Sequence, residues 1–206
     1  MARIIAGAAG GRVIKVPAGG VRPTANRVRE AVFSQLEARL GGPAGWAGLV
    51  VADLFAGSGG YALEALSRGA ARAFLVEAAP AAARVAAANA RALGFGARAE
   101  VVAWTVERAL ARGLAARAGP FGLVFLDPPY ATRPDRLDVL LAALAAGPAL
   151  APGALVVVER SARGAPPAWP GAWRALAAKV YGDTAVHLAQ APPGQTAPGG
   201  REPAGA

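Results

Sequence analysis

The 206-residue sequence contains no cysteine, one histidine, His187, and two lysines, Lys15 and Lys179. Without cysteine it can form neither a disulfide framework nor a thiolate nucleophile, and one histidine nearly excludes a zinc site. The sequence also lacks the apolar core of a signal peptide and any uninterrupted apolar segment long enough to span a bilayer. We therefore expect a cytoplasmic protein without a metal, whose chemistry uses carboxylates, backbone groups and a bound cofactor.

What the sequence has in excess is positive charge, with a formal net charge of +9. Residues 1–30 hold six basic residues and one acidic residue, so more than half of the excess lies there. Clustered cations gain affinity for nucleic acid by releasing counterions, which favours a polyanionic partner. A solvated basic face without a ligand is the alternative.

The first 42 residues are expected to form an extension of their own. Segments 3–6 and 11–16 are typical of two short strands joined by a glycine-rich turn, which gives a basic hairpin. Thr24 can cap a helix that follows a three-four apolar spacing and ends at Gly41-Gly42-Pro43.

Residues 43–190 are expected to form one α/β domain. Predicted strands at 49–54, 72–77, 99–103, 122–126 and 154–159 alternate with predicted helices near 58–68, 80–93, 105–117 and 134–146. Such alternation favours a parallel sheet with crossover helices on both faces. A late hairpin turning at Gly182-Asp183 would add an antiparallel pair. Residues 191–206 have little to bury and are predicted to be a disordered tail.

A glycine turn follows the first parallel strand. Gly57, Gly59 and Ala62 fit a loose dinucleotide pattern, and Glu77 lies 20 residues after Gly57, suited to a ribose hydroxyl. This pattern alone is weak evidence for a nicotinamide cofactor. Asp53, at the end of the strand, is better suited to a cationic amino group than to a pyrophosphate.

The stretch D-L-F-A-G-S-G resembles motif I of the class I S-adenosylmethionine-dependent methyltransferases. The resemblance implies that the turn holds the methionine half of the cofactor and that the acid after the second strand holds the ribose. Trp104 and Thr105 stand where relatives often carry an acidic or amide residue for the adenine. The candidate cofactor-binding residues are Asp53, Phe55, Ala56, Gly57, Ser58, Gly59, Glu77, Ala78, Trp104 and Thr105.

A second motif, D-P-P-Y, ends the predicted strand V-F-L. Two consecutive prolines stop the strand and hold the next loop in one shape. The Asp127 carboxylate and the Pro128 carbonyl could each accept an N–H of a nucleobase amino group, while Tyr130 stacks on the base. The stretch resembles motif IV of the amino-group methyltransferases. The candidate catalytic residues are Asp127, Pro128, Pro129 and Tyr130.

Further stretches extend the resemblance to most of the chain: R-I-I-A-G, R-P-T-A-N-R-V-R-E-A-V-F, L-E-A-L-S-R-G-A and Y-G-D-T. Together with the two motifs they resemble the RsmD family. The resemblance implies S-adenosylmethionine-dependent methylation of the N2 amino group of a specific guanine in bacterial 16S rRNA.

The same resemblance implies a Rossmann-like class I methyltransferase fold with a seven-stranded, mostly parallel sheet. The N-terminal hairpin and helix would bind RNA and cover the cofactor. The expected partner is 16S rRNA, within the small subunit or an assembly intermediate, and the protein is expected to be a monomer. The candidate substrate-binding residues are Arg3, Arg12, Lys15, Arg22, Thr24, Arg27 and Arg29.

Three other functions remain open at this point. An adenine-N6 DNA methyltransferase is disfavoured because about 70 residues separate the two motifs and no further segment resembles a target-recognition domain. A non-catalytic RNA-binding assembly factor would keep the fold, although Asp53, Glu77 and the complete D-P-P-Y argue for catalysis. A nicotinamide-dependent oxidoreductase lacks a candidate acid for hydride transfer.

Overall fold

The computed structural model describes residues 2–16, 25–129 and 131–193. Its strands are β1 (Ala2–Arg3), β2 (Val13–Ile14), β3 (Val50–Asp53), β4 (Arg72–Val76), β5 (Ala99–Val102), β6 (Phe121–Leu126), β7 (Leu150–Ser161), β8 (Arg174–Tyr181) and β9 (Thr184–Gln190). Its α-helices are α1 (Ala25–Arg39), α2 (Gly60–Arg68), α3 (Pro80–Ala92), α4 (Val106–Ala111), α5 (Leu114–Ala118) and α6 (Pro134–Ala146). Two 3-10 helices cover Gly7–Ala9 and Pro43–Trp46.

Seven strands form the main sheet, in the order β5-β4-β3-β6-β7-β9-β8. The first five strands of that order pair in parallel, and β9 and β8 add an antiparallel hairpin at one edge. The predicted α/β fold, with its seven-stranded, mostly parallel sheet and late hairpin, is confirmed.

The sheet is covered on both faces, which explains why its central strands are apolar throughout. In β6, Leu123 and Phe125 belong to one buried cluster, and Val124 and Leu126 belong to another on the opposite face. Because side chains alternate along a strand, each face receives every second residue of the run. The parallel strands all end at one edge, where the crossover connections leave the sheet.

The first core cluster includes residues of the N-terminal segment. Ile4 and Ile14 pack in the same cluster as Phe33 of α1 and Leu63 of α2. The Phe33 ring also lies 5.6 Å from that of Phe125 in β6, centroid to centroid. The described part of the N-terminal extension therefore shares its core with the sheet.

The N-terminal hairpin is shorter than predicted. Strands were expected over residues 3–6 and 11–16, but the strands cover only Ala2–Arg3 and Val13–Ile14, and the backbone bonds beyond them end at Ile4, which pairs with Arg12 and Gly11. The backbone N–H groups of Ile5 and Ala6 donate to the Glu64 carboxylate of α2, at 2.6 and 3.1 Å. Because these donors leave the ladder for a side chain, the segment turns into a 3-10 helix instead of extending the strand.

A second difference concerns the helix predicted over 105–117. The structure has α4 and α5 there, separated at Gly113, which adopts a φ of +68°. This left-handed conformation ends the first helix, and the apolar spacing of the sequence continues across the break without revealing it.

The predicted cap Thr24 and most of the predicted tail, 194–206, lie outside the described residues. No helix of the described ranges is long and apolar enough to cross a membrane.

We predict that Gly7 is required by a close approach between the hairpin and α2. A Cβ on Gly7 would lie 1.9 Å from the Ser67 carbonyl oxygen, and its φ is +79°. Gly7→Ala should lower the free energy of unfolding by about 2–5 kcal/mol in urea denaturation. Gly11 has a φ of +81°, but its Cβ would meet no other described atom within 4 Å. Gly11→Ala should therefore cost only about 1–2 kcal/mol; equal losses would argue against the close contact.

Candidate functional site

The ends of four neighbouring parallel strands bring the predicted site residues to one edge of the sheet. A cavity of about 380 Å³ opens there. Seven predicted residues line it: Phe55, Glu77, Ala78, Thr105, Asp127, Pro128 and Pro129. Candidate cofactor residues and candidate catalytic residues thus share one cavity.

The two glycines of the turn serve different purposes. Gly59 has a φ of +87°, which favours glycine, and a Cβ there would also lie 2.9 Å from the Leu75 side chain. Gly57 has a φ of +54°, but its Cβ would meet no other atom of the described residues within 4 Å. Gly57 therefore leaves open space beside the backbone, into which a ligand can approach.

Glu77 is fixed in place by the turn itself. Its carboxylate accepts the Gly57 N–H at 2.9 Å and the Ala79 N–H at 2.8 Å. An ionised carboxylate offers about four lone-pair sites, so these two bonds leave acceptors for a ligand hydroxyl. The side chain lines the cavity and is only half-buried.

Asp53 lies deeper than its predicted role suggests. Its side chain is buried at the end of β3 and accepts the Ala62 N–H at 3.2 Å. Burial raises the pKa of Asp53, the Ala62 hydrogen bond opposes this shift, and the nearby charges of Asp127, Glu77 and Glu159 add to it, so that the pKa lies at about 7. Asp53 is not among the described residues that line the cavity, so its contact with a cationic amino group stays a prediction.

The residues after β5 divide into two roles. Thr105 lines the cavity and also caps α4, because its hydroxyl accepts the Arg108 N–H at 3.3 Å. The Trp104 ring instead packs against an apolar cluster, with the Arg108 guanidinium 4.9 Å from its centroid. The placement gives Trp104 a packing role, and its predicted contact with the cofactor stays a prediction.

Four of the predicted substrate-binding residues have exposed side chains: Arg3, Arg12, Lys15 and Arg27. Arg12 also donates from Nη2 to the Ala92 carbonyl at 2.5 Å, which ties the hairpin to the end of α3. Arg22 and Thr24 lie outside the described residues, as does the catalytic candidate Tyr130.

Arg29 differs from the expectation of an RNA-contacting side chain. It is 5% exposed and donates to the Arg3 carbonyl and to the Asn26 side chain. Burial lowers its pKa, although the neighbouring acids Glu64, Glu159 and Asp53 oppose that shift. The structure places Arg29 in the packing between α1, β1 and α2, where three buried acids lie near its charge.

Asn89, which no sequence pattern singled out, connects two parts of the site. Its side chain accepts the Lys15 N–H at 2.9 Å and donates to the carbonyls of Lys15 and Ser58, at 2.8 and 3.0 Å. The hairpin and the glycine turn are therefore held by one buried amide. A lone asparagine in an alanine-rich helix carries no motif that would reveal this.

Arg136 of α6 was also not foreseen at the cavity. Arg136 lines the cavity, and its Nε donates to Glu107 Oε1 at 2.7 Å. Within the ranges that the structure covers, no group of three or more His, Asp or Glu residues could hold a metal ion.

Comparisons with known proteins agree with this arrangement. The family model described as "Conserved hypothetical protein 95" matches residues 2–190. Ribosomal RNA small subunit methyltransferase D of Escherichia coli K12 is 36% identical over 194 residues, which covers 91% of this chain and 89% of the relative.

Two solved structures give the same picture of the fold. Escherichia coli yhhF superposes with a TM-score of 0.79 at 36% identity, covering 93% of this chain and 98% of that one. An RNA methyltransferase of Salinibacter ruber, in complex with S-adenosyl-L-homocysteine, gives a TM-score of 0.59 at 20% identity. It covers 83% of this chain and 94% of its own, and at that identity it supports the fold alone.

We predict that Asp53 makes folding stability fall as the pH rises. A carboxyl whose pKa is raised in the folded state stabilises the fold fully below the unfolded value, near 4, and this contribution is lost as the pH rises through about 7. Asp53→Asn cannot titrate but keeps an oxygen for the Ala62 N–H. The free energy of unfolding of Asp53→Asn, measured relative to that of wild type, should therefore increase by on the order of 2–4 kcal/mol from pH 4 to pH 8.

Urea unfolding at a series of pH values measures this difference. Asp183→Asn, in the exposed turn between β8 and β9, is the control and should follow the wild-type profile. Parallel profiles for Asp53→Asn and wild type would show that the pKa of Asp53 is not raised in the folded state.

Proposed function

The chain belongs to the family described as "Conserved hypothetical protein 95", as the RsmD resemblance predicted, and we propose that it methylates guanine N2 in small-subunit ribosomal RNA, using S-adenosylmethionine. The observation that carries the proposal is the single cavity lined by both Glu77 and Asp127. Glu77, after β4, is the acid proposed to bind the cofactor, and Asp127, after β6, is the proposed acceptor for the substrate amine. The name of the E. coli relative supports small-subunit ribosomal RNA as the substrate.

The residues present at the cavity fit the cofactor. The open space beside Gly57 suits close approach of a ligand to the backbone, and Glu77 keeps free acceptor capacity for two ribose hydroxyls. Phe55 and Val106 offer apolar contact, and the Thr105 hydroxyl offers a polar group. When bound, S-adenosylmethionine supplies a sulfonium methyl group that is already activated for transfer.

Asp127 and Pro128 orient the amine that receives the methyl group. A guanine N2 amino group is planar and a weak nucleophile with two N–H donors. The Asp127 carboxylate and the Pro128 carbonyl each accept one N–H, which turns the nitrogen lone pair toward the methyl group. Asp127 accepts the proton that the amine releases, so the reaction needs no metal. Pro128 is buried and Pro129 follows it, which keeps the acceptor carbonyl fixed.

The N-terminal extension binds the RNA. Its exposed cations, Arg3, Arg12, Lys15 and Arg27, provide phosphate contacts, and Arg22 and Thr24 complete the proposed set. The hairpin is anchored to α3 through Asn89 and Arg12, so a bound RNA is held beside the cavity. In this division residues 1–42 position the substrate, residues 43–190 carry the chemistry, and the enzyme acts as a monomer on 16S rRNA in the small subunit or an assembly intermediate.

We predict that Asp127→Ala abolishes methyl transfer with little effect on cofactor binding. Loss of a positioned acceptor at the reacting atom should reduce kcat at least ~100-fold, while calorimetry should give a cofactor Kd within a few-fold of wild type. Asp183→Ala, in an exposed turn, serves as the charge-matched control. Unchanged turnover in Asp127→Ala would remove Asp127 from the mechanism.

A second prediction concerns the hairpin. Arg12→Ala with Lys15→Ala should weaken RNA binding and lower the slope of log K against log salt by about 1 to 2, since two phosphate contacts are lost. The matched control is Arg39→Ala with Lys179→Ala, which removes the same two residue types at exposed positions outside the hairpin. Equal salt slopes for both double variants would argue against the hairpin as the RNA-binding element.

A further inference from the structure

We propose that the RNA-binding surface extends from the hairpin along the exposed side of α3, where Arg84 and Arg91 contact RNA phosphates. Arg12, Lys15, Arg84 and Arg91 together form what we call the hairpin-α3 surface. The inference rests on the proposed function, because the RNA of that function is the partner. It adds two substrate-binding residues in a helix that no sequence pattern assigned to RNA.

The hairpin and α3 are held together although they lie far apart in the sequence. Asn89 exchanges hydrogen bonds with the backbone of Lys15, 74 residues away, at 2.9 and 2.8 Å. At the end of α3, Arg12 Nη2 donates to the Ala92 carbonyl, which belongs to the residue after Arg91. These contacts place the cations of the two segments on one continuous stretch of surface.

The two joined segments contain cations and no acid. Residues 2–16 hold three basic residues, and residues 78–99, which include all of α3, hold three more. None of the 13 acidic residues of the chain falls in either range. A surface on which positive charge is not interrupted by acids attracts a polyanion, and RNA gains affinity there by releasing counterions.

Arg84 and Arg91 lie on the same side of α3. They are seven residues apart, which corresponds to two helical turns and about 10 Å along the axis. Both are exposed, and neither guanidinium has a hydrogen-bond or ion-pair partner among the described residues. Arg91 complements the helix dipole in the last turn, but Arg84 lies too far from that end to do so. Both groups are therefore available to phosphate oxygens of an RNA backbone.

Exposed arginines on the other face of the sheet have acidic partners. Arg117 of α5 pairs with Glu100 at 2.6 Å, and Arg136 of α6 pairs with Glu107 at 2.7 Å. Both helices pack on the second buried cluster, whereas α3 packs on the first. Pairing with an acid reduces the attraction of these arginines for RNA, so the face that carries α3 is the better suited to bind it.

The helix also connects this surface to the cavity. It begins at Pro80, three residues after Glu77, which lines the cavity. Arg84 lies four residues further along the helix, about 6 Å along its axis. RNA that contacts Arg84 is therefore held near the edge of the sheet where the methyl group is transferred.

The test removes the two cations of α3 and leaves the hairpin unchanged. Arg84→Gln with Arg91→Gln keeps long side chains of similar helix propensity. Arg39→Gln with Arg112→Gln is the matched control, because it removes the same charge at exposed positions that have no ion pair among the described residues. Binding of the full-length protein to small subunits from a strain that lacks the enzyme is measured from about 50 to 200 mM salt.

The α3 double variant should lower the slope of log K against log salt by about 1.4 to 1.8, because each lost phosphate contact removes about 0.7 to 0.9. The control should keep the wild-type slope. KM for the RNA substrate should rise, while kcat should stay within about two-fold of wild type, because neither Arg84 nor Arg91 is among the described residues that line the cavity. Thermal unfolding without RNA should not change, since both side chains are exposed.

The outcomes separate the two proposals. Methylation of guanine N2 by wild type tests the proposed function, and the salt slope tests the surface. If wild type methylates guanine but the α3 variant keeps the wild-type slope, only the inference is overturned, and α3 presents a solvated basic face. Equal losses of slope in the α3 variant and its control would overturn it too, because net charge alone would then explain the effect. If wild type neither binds nor methylates the small subunit, both proposals fail.

Discussion

The parallel pairing of β3 with β6 is the constraint on which the site depends. Their register sets Asp53 opposite Phe125, so the glycine turn and the D-P-P motif leave the sheet at the same level. Phe55 and Asp127, 72 positions apart in the sequence, thereby line one cavity. The apolar faces of β6 secure that register, because a slip of one residue would exchange the two buried clusters and turn Phe125 to the opposite face.

The sequence predicted most of this architecture because its strongest patterns are local. Apolar runs that alternate with helical spacing define the parallel strands, and Gly182-Asp183 marks the hairpin turn, which the structure confirms. The short β1–β2 pairing was not predictable, since it depends on Glu64, some 60 residues away, taking two backbone donors. The break at Gly113 was missed because one glycine does not interrupt an apolar spacing.

In the candidate site, too, features that depend on local sequence patterns could be predicted, whereas features that depend on distant residues could not. Phe55, Glu77 and Asp127 could be predicted to meet because each follows a strand or forms part of a recognisable motif. The burial of Arg29 could not, because a basic residue in a basic segment looks like a surface residue until its acidic neighbours are known. The role of Asn89 could not be predicted for a similar reason, since it depends entirely on the two distant segments that its side chain joins.

The Asn89 bridge has a consequence for how the two proposed ligands affect each other. One buried amide restrains both the hairpin at Lys15 and the glycine turn at Ser58, so a ligand that orders either segment also restricts the other. The second ligand then loses less conformational entropy on binding. Such coupling is reciprocal, so RNA would tighten cofactor binding by the same factor by which the cofactor tightens RNA binding. The Kd of each ligand, measured with and without the other ligand, gives this factor directly.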